Sequence, residues 1–127
     1  MVDDARRLEP LADEAAEMLT AMANPNNLLV LCALISGEQA EETLRRSLGP
    51  PAEAFDQAVA DLREAGLVSD GRKTPGSLRL RDIRAAEIAD AVYSAFMGQS
   101  LVEPGKARFQ EDPDNPGGYG VFARDGI

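Results

Sequence analysis

The sequence predicts a mainly α fold with one small β-hairpin, and three observations predict it. Apolar residues recur at three- and four-residue steps over most of the first 98 positions, the mark of helices with one buried stripe. Between Leu67 and Arg81 that spacing gives way to two short alternating runs around a Gly/Pro turn, Asp70-Gly71-Arg72-Lys73-Thr74-Pro75-Gly76. Proline and glycine fall at the joints, as Asn24-Pro25, Gly37, Gly49-Pro50-Pro51, Gly66 and Gly98. The predicted order is four helices, a hairpin, a fifth helix and a tail.

The first helix runs from about Asp3 to Ala23, with Leu8, Leu11, Ala12, Ala15, Met18, Leu19 and Met22 on one side and Pro10 marking a start or kink. Asn24 caps the second helix and Pro25 opens it, since a first-turn proline loses no hydrogen bond. Leu28, Leu29, Leu31, Cys32, Leu34 and Ile35 leave this helix almost no polar face up to Ser36, so it is expected to be the most buried one. A short third helix spans Gln39 to Ser47 with an acidic start and a basic end, which suits the helix dipole. The fourth begins at Pro51 and buries Ala54, Phe55, Ala58, Val59, Leu62 and Ala65 before Gly66 ends it. Asp82 caps the fifth helix, whose apolar side is Ile83, Ala86, Ile88, Ala89, Val92, Tyr93, Phe96 and Met97.

Residues 1–98 thus make one domain. The remaining 99–127 contain Pro104, Pro113 and Pro116, five of the eleven glycines and isolated Tyr119, Val121 and Phe122. Such a composition reads as a tail with at most a short extended segment.

The 127 residues carry 13 basic and 22 acidic side chains, a net charge of −9. That balance disfavours indiscriminate attraction to phosphates or anionic lipid. The charge is uneven, because residues 67–97 sum to +1 while every other block is negative. Arg72, Lys73, Arg79, Arg81 and Arg84 make up this weak basic focus. One cysteine excludes an internal disulfide, no apolar run reaches the ~20 residues of a membrane span, and the acidic N-terminus lacks a signal-peptide core. A cytoplasmic address and no membrane partner are expected.

No catalytic site is expected. The chain has no histidine, no nucleophile beside a base and no Gly-rich phosphate loop opening a helix. Cys32, on the apolar second helix, reads as a small core residue.

The residues go further than the order of elements. Leu19-Thr20-Ala21-Met22-Ala23-Asn24-Pro25 leads into a Leu-rich helix that ends in Gly37-Glu38. Leu44, Leu48, Gly49 and Leu62 follow at helix-turn-helix spacing, and Arg63-Glu64-Ala65-Gly66-Leu67-Val68 forms the exit. This combination resembles the ArsR/SmtB family of transcriptional regulators over roughly Leu11 to Met97. The resemblance implies a winged helix-turn-helix, with the fourth helix as recognition helix and the hairpin as wing. It also implies a homodimer formed by the first and last helices, for which Leu11, Leu19, Val92 and Phe96 are the residues expected to meet.

Two departures from the family pattern bear on function. Where many members place a Cys-x-Cys metal motif this chain has Ala40 and Glu42, and the histidines of other members are absent, so no metal or other cofactor is expected. The recognition helix is acidic on its outer row, with Glu53, Asp56 and Asp61 beside Gln57. Gln57 is the side chain suited to reading an adenine edge, and Arg63, Arg72 and Lys73 are the cations expected at the DNA backbone. The leading reading is a dimeric regulator that binds operator DNA. The alternative is a winged-helix interaction module that has lost DNA and docks Glu53, Asp56 and Asp61 on a basic protein partner or another regulator.

Overall fold

The computed structural model describes residues 2–101, 107–111 and 119–123. Pro10 breaks the first predicted helix in two. Helix α1 (Val2–Leu8) passes through a 3-10 turn (Glu9–Leu11) into α2 (Ala12–Met22), because a mid-helix proline lacks the donor and crowds the preceding turn. Ala23 ends α2. Asn24 then adopts an extended conformation, and its Oδ1 accepts from the backbone N–H groups of Asn26 (2.8 Å) and Asn27 (3.4 Å). With Pro25 in the first turn, this starts α3 (Pro25–Leu34).

Helix α3 is the central element, packed against α2, α5 and α6. Val30, Leu31 and Leu34 are buried, but Leu29 is 44% exposed and Cys32 only half-buried, so α3 is not enclosed on every side as its composition suggests. Gly37, at φ +126°, turns the chain where a side chain would be strained.

Residues 39 and 40 depart from the predicted third helix. They form a two-residue strand, β1 (Gln39–Ala40), that pairs with Leu78 and Ser77. The pairing satisfies backbone groups that a helix end would leave open. Helix α4 (Glu41–Ser47) follows and buries Leu44. Helix α5 (Ala52–Glu64) starts one residue later than predicted, because Pro51 is its extended cap and accepts the Phe55 N–H at 2.9 Å. Gly66 (φ +77°) lets the Leu67 N–H reach back to the Leu62 carbonyl at 3.0 Å, the bond that closes a left-handed helix ending. Phe55, Ala58, Val59 and Leu62 form the buried stripe of α5, whereas Ala54 is only partly buried and Ala65, expected in the same stripe, is exposed at the helix end.

Strands β2 (Val68–Asp70) and β3 (Ser77–Leu80) are the antiparallel wing, in the register Val68 to Leu80, Ser69 to Arg79 and Asp70 to Leu78. Asp82 caps α6 (Ile83–Met97) by accepting the Arg84 N–H at 2.9 Å, and Gly98 (φ +77°) closes it. One apolar cluster joins α2 to α6 and the wing, with Phe55, Leu31, Leu34, Leu62, Leu67, Leu78 and Leu80 among its fully buried members. No described helix is long and apolar enough to cross a membrane.

The segment after residue 98 contains more structure than one extended stretch. Strands β4 (Ala107–Glu111) and β5 (Tyr119–Ala123) pair antiparallel over five positions, and β5 meets β3 at Leu80 and Tyr119. The sheet order is therefore β1-β3-β5-β4, with β2 also paired to β3. The chain is turned back after Gly98 by Asp90, whose carboxylate accepts the Ser100 hydroxyl (2.9 Å) and the Leu101 N–H (2.8 Å).

Candidate nucleic-acid interface

Helices α4 and α5 with the β2–β3 wing form the surface on which the predicted recognition residues fall. Because Phe55, Ala58, Val59 and Leu62 fix which side of α5 is buried, the helical period leaves Glu53, Gln57, Ala60 and Glu64 facing outward. All four are exposed. Asp56 and Arg63 lie on the flank toward α4 and the wing, and Asp61 on the flank toward the α2–α3 corner.

The acidic row is not a row of free charges. Arg45, from the last turn of α4, places Nη2 2.6 Å from Asp56 Oδ1 and Nη1 2.7 Å from Glu42 Oε2. Its guanidinium carbon also sits 5.3 Å from the centre of the Phe55 ring, within cation–π range. Donating hydrogen bonds to Asp56 and then to Glu42 pushes the Arg45 pKa further up. Asp61 Oδ1 accepts the Gln57 amide at 2.8 Å, one helical turn away. Of the three carboxylates expected to form an acidic face, Asp56 and Asp61 are thus engaged within the domain. Glu53 and Glu64 have no hydrogen bond or ion pair among the described residues.

The predicted cations divide in a similar way. Arg63 spans two carboxylates, Asp70 at 2.6 Å on the wing and Glu41 at 3.5 Å on α4, so it braces the end of α5 against both neighbours. Arg72 and Lys73 are exposed in the loop between β2 and β3. The structure ties Arg63 to the wing through Asp70, places Arg72 and Lys73 exposed in the wing loop and leaves Gln57 on the outer row of α5, bonded to Asp61. It adds Arg46, exposed at the end of α4 and without an ion pair among the described residues. Arg46 is explained in sequence as a helix-dipole residue, and only its exposure beside the paired Arg45 distinguishes it.

Glu38 is the residue that sequence reasoning passes over. Its carboxylate accepts three consecutive wing N–H groups, from Arg72 (2.9 Å), Lys73 (3.0 Å) and Thr74 (3.1 Å). Burial alone would raise the Glu38 carboxyl. The hydrogen bonds from Arg72, Thr74, Ser77 and Lys73 outweigh that and hold it below the usual carboxylate range. The only sequence signal was the Gly37-Glu38 pair at the helix end.

The residues expected at a dimer contact lie away from this surface. Leu11 is 55%, Leu19 50% and Phe96 85% exposed, whereas Val92 is half-buried. Leu8 and Met97 extend the same apolar exposure at the two helix ends. Cys32 sits apart, with Sγ 4.0 Å from the Ala89 carbonyl, and burial followed by the nearby Asp90 charge pushes its thiol pKa up. A thiol so placed is a poor nucleophile.

No family model matches the chain. It is 30% identical over 93 residues to the biofilm growth-associated repressor of Xylella fastidiosa, covering 72% of this chain and 82% of that protein. The crystal structure of the transcriptional repressor BigR from Xylella fastidiosa superposes with a TM-score of 0.63 at 29% identity, over 75% of this chain and 95% of that one. A homodimeric winged helix-turn-helix DNA-binding domain from Mycobacterium bovis, a possible ArsR-family regulator, superposes with a TM-score of 0.55 at 26% identity, over 75% and 88%.

Proposed function

The chain belongs to the ArsR/SmtB-type winged helix-turn-helix transcriptional regulators, and from that premise we propose that it acts as a dimer on operator DNA. One observation supports this above the others. Gln57 is exposed on the outer row of α5, and Arg72 and Lys73 are exposed in the loop of a wing that the Arg63–Asp70 ion pair ties to the same helix, so a base-reading group and backbone cations are carried by two linked elements. Gln57 reads a base edge in the major groove, while Arg46, Arg72 and Lys73 meet phosphates. Arg63 serves this surface by bracing α5, α4 and the wing.

The residues of this activity all fall within 1–98, and the later segment adjoins the wing through the β5–β3 pair at Tyr119 and Leu80. The second subunit docks through the exposed apolar side chains of the first and last helices, Leu11, Leu19 and Phe96, with Val92 beneath. Two copies then present their α5 helices to successive major grooves, about 34–36 Å apart. A gel-shift series on the DNA upstream of its own gene, with unrelated DNA as competitor, tests the reading. Retention that survives the competitor supports it, and no retention even at ~50 mM salt, where phosphate contacts are strongest, refutes it.

A second reading has one observation in its favour. Arg45 and Arg63 are held by carboxylates while Glu53 and Glu64 are not, so the outer row of α5 presents net negative charge. A basic protein segment would fit that row. Under this reading a cationic partner is retained and DNA is not.

A further inference from the structure

The wing loop, residues 71–76, is a six-residue connection with no apolar anchor of its own, and such a loop samples many conformations unless something ties it down. Three hydrogen bonds to one residue, Glu38, tie it. The two Glu38 oxygens accept the N–H groups of Arg72, Lys73 and Thr74. Three successive N–H groups converging on one anion form a concave backbone nest of the kind that binds phosphates, and here the anion is supplied from within the chain. Gly71 makes room for it, since a Cβ at Gly71 would collide with the Glu38 carboxylate. Around this clasp the wing base is stitched to the chain before α4, through the Glu41 N–H to the Gly76 carbonyl at 2.9 Å and the β1–β3 pairs.

We infer that Glu38 is the positioning residue of the wing: it fills the loop's anion nest from α3's side and thereby fixes where Arg72 and Lys73 meet the DNA backbone. The inference rests on the DNA-binding reading above for its purpose, but not for its geometry. Because Glu38 occupies the N–H groups, the wing meets DNA with side chains and not with its backbone nest. Ordering those side chains in advance removes part of the entropy cost that binding would otherwise carry.

Two measurements test it. In the free protein, the amide protons of Arg72, Lys73 and Thr74 should shift together with one acid midpoint, and Glu38→Gln should abolish that shared transition. Independent shifts in the wild type, or an unchanged transition in Glu38→Gln, would overturn the clasp whether or not DNA is bound. On DNA, Glu38→Ala should weaken binding at least about tenfold. It should also make the slope of log affinity against log salt shallower by about two, the loss of two phosphate contacts at ~0.9 each. Preference among operator sequences should be kept. Gly71→Ala, which presses on the clasp while leaving the charge in place, should shift binding the same way. Wild-type binding with both variants equal to it in affinity and slope would sink the inference alone. No DNA binding by the wild type would sink the functional reading, with the amide titration still deciding the clasp.

Discussion

Arg45 Nη2 stands 2.6 Å from Asp56 Oδ1, so the central carboxylate of the recognition helix is a counter-ion to the neighbouring helix. This changes what a charge swap on α5 would report. Asp56→Arg would set two guanidinium groups against each other across the α4–α5 turn, lowering stability and DNA affinity together. Glu53 has no such partner among the described residues and is the cleaner site. Glu53→Gln should raise DNA affinity modestly, and Glu53→Arg should raise it further and steepen its salt dependence by about one contact. Fluorescence anisotropy across a salt series reads both, and lower affinity in Glu53→Arg would show that the outer row of α5 does not face phosphates.

The Asn24 cap supplies a stability prediction. Asn24 Oδ1 accepts two N–H groups that the start of α3 would otherwise leave open, so Asn24→Ala should cost about 1 kcal/mol. Asn24→Ser should recover most of the loss. Urea denaturation measures both, and an unaltered midpoint in Asn24→Ala would mean the cap bonds are not made in solution.

Dimerisation is tested at Phe96, 85% exposed at the end of α6. A charge there meets no cost in an isolated chain, whereas in an apolar contact it leaves an unpaired carboxylate desolvated. Light scattering of the wild type should give twice the chain mass, and Phe96→Asp should give a folded monomer with circular dichroism unchanged. A wild-type monomer at micromolar concentration would count against the paired α5 arrangement.

Acid sensitivity follows from two carboxyls held below their ordinary values. Arg84 hydrogen-bonds Asp82 through its guanidinium and its N–H, and these bonds outweigh burial. Glu38 is lowered by the wing bonds described above. A lowered folded-state value means the stabilisation is complete above the ordinary values, 4.5 for Glu38 and 3.8 for Asp82, and is lost as pH falls through the folded ones. The urea midpoint of the wild type should therefore decline below about pH 4.5. In Glu38→Gln with Asp82→Asn that decline should be shallower, and an equally steep one would place the acid-sensitive groups elsewhere.

The fold was largely legible because its signals are local. Asn24-Pro25, Gly66, Asp82 and Gly98 each act within a few residues of themselves, and the apolar steps of α5 and α6 point to their buried sides. What was not legible depends on partners distant in sequence. Gln39 becomes a strand because Leu78 lies beside it, Glu38 finds the wing 34 to 36 residues away, and Asp56 meets Arg45 from a different helix. A short extended segment was expected after residue 98, but not that 107–111 and 119–123 would pair, because glycine and proline dominate their surroundings and neither shows a full alternating stripe. For the candidate interface, spacing put Gln57 on an exposed face and Arg72 in the hairpin loop, and could not tell that Asp56 and Arg63 are engaged.

The claim that a dimer lays two α5 helices on DNA is tested most directly by a hydroxyl-radical footprint of the wild-type protein on the DNA upstream of its own gene. Two protected patches of equal strength, centred one helical turn or a whole number of turns apart, are predicted, and Gln57→Ala should weaken both together. A single patch, or none at ~50 mM salt with the protein shown to be folded and dimeric, would contradict the account.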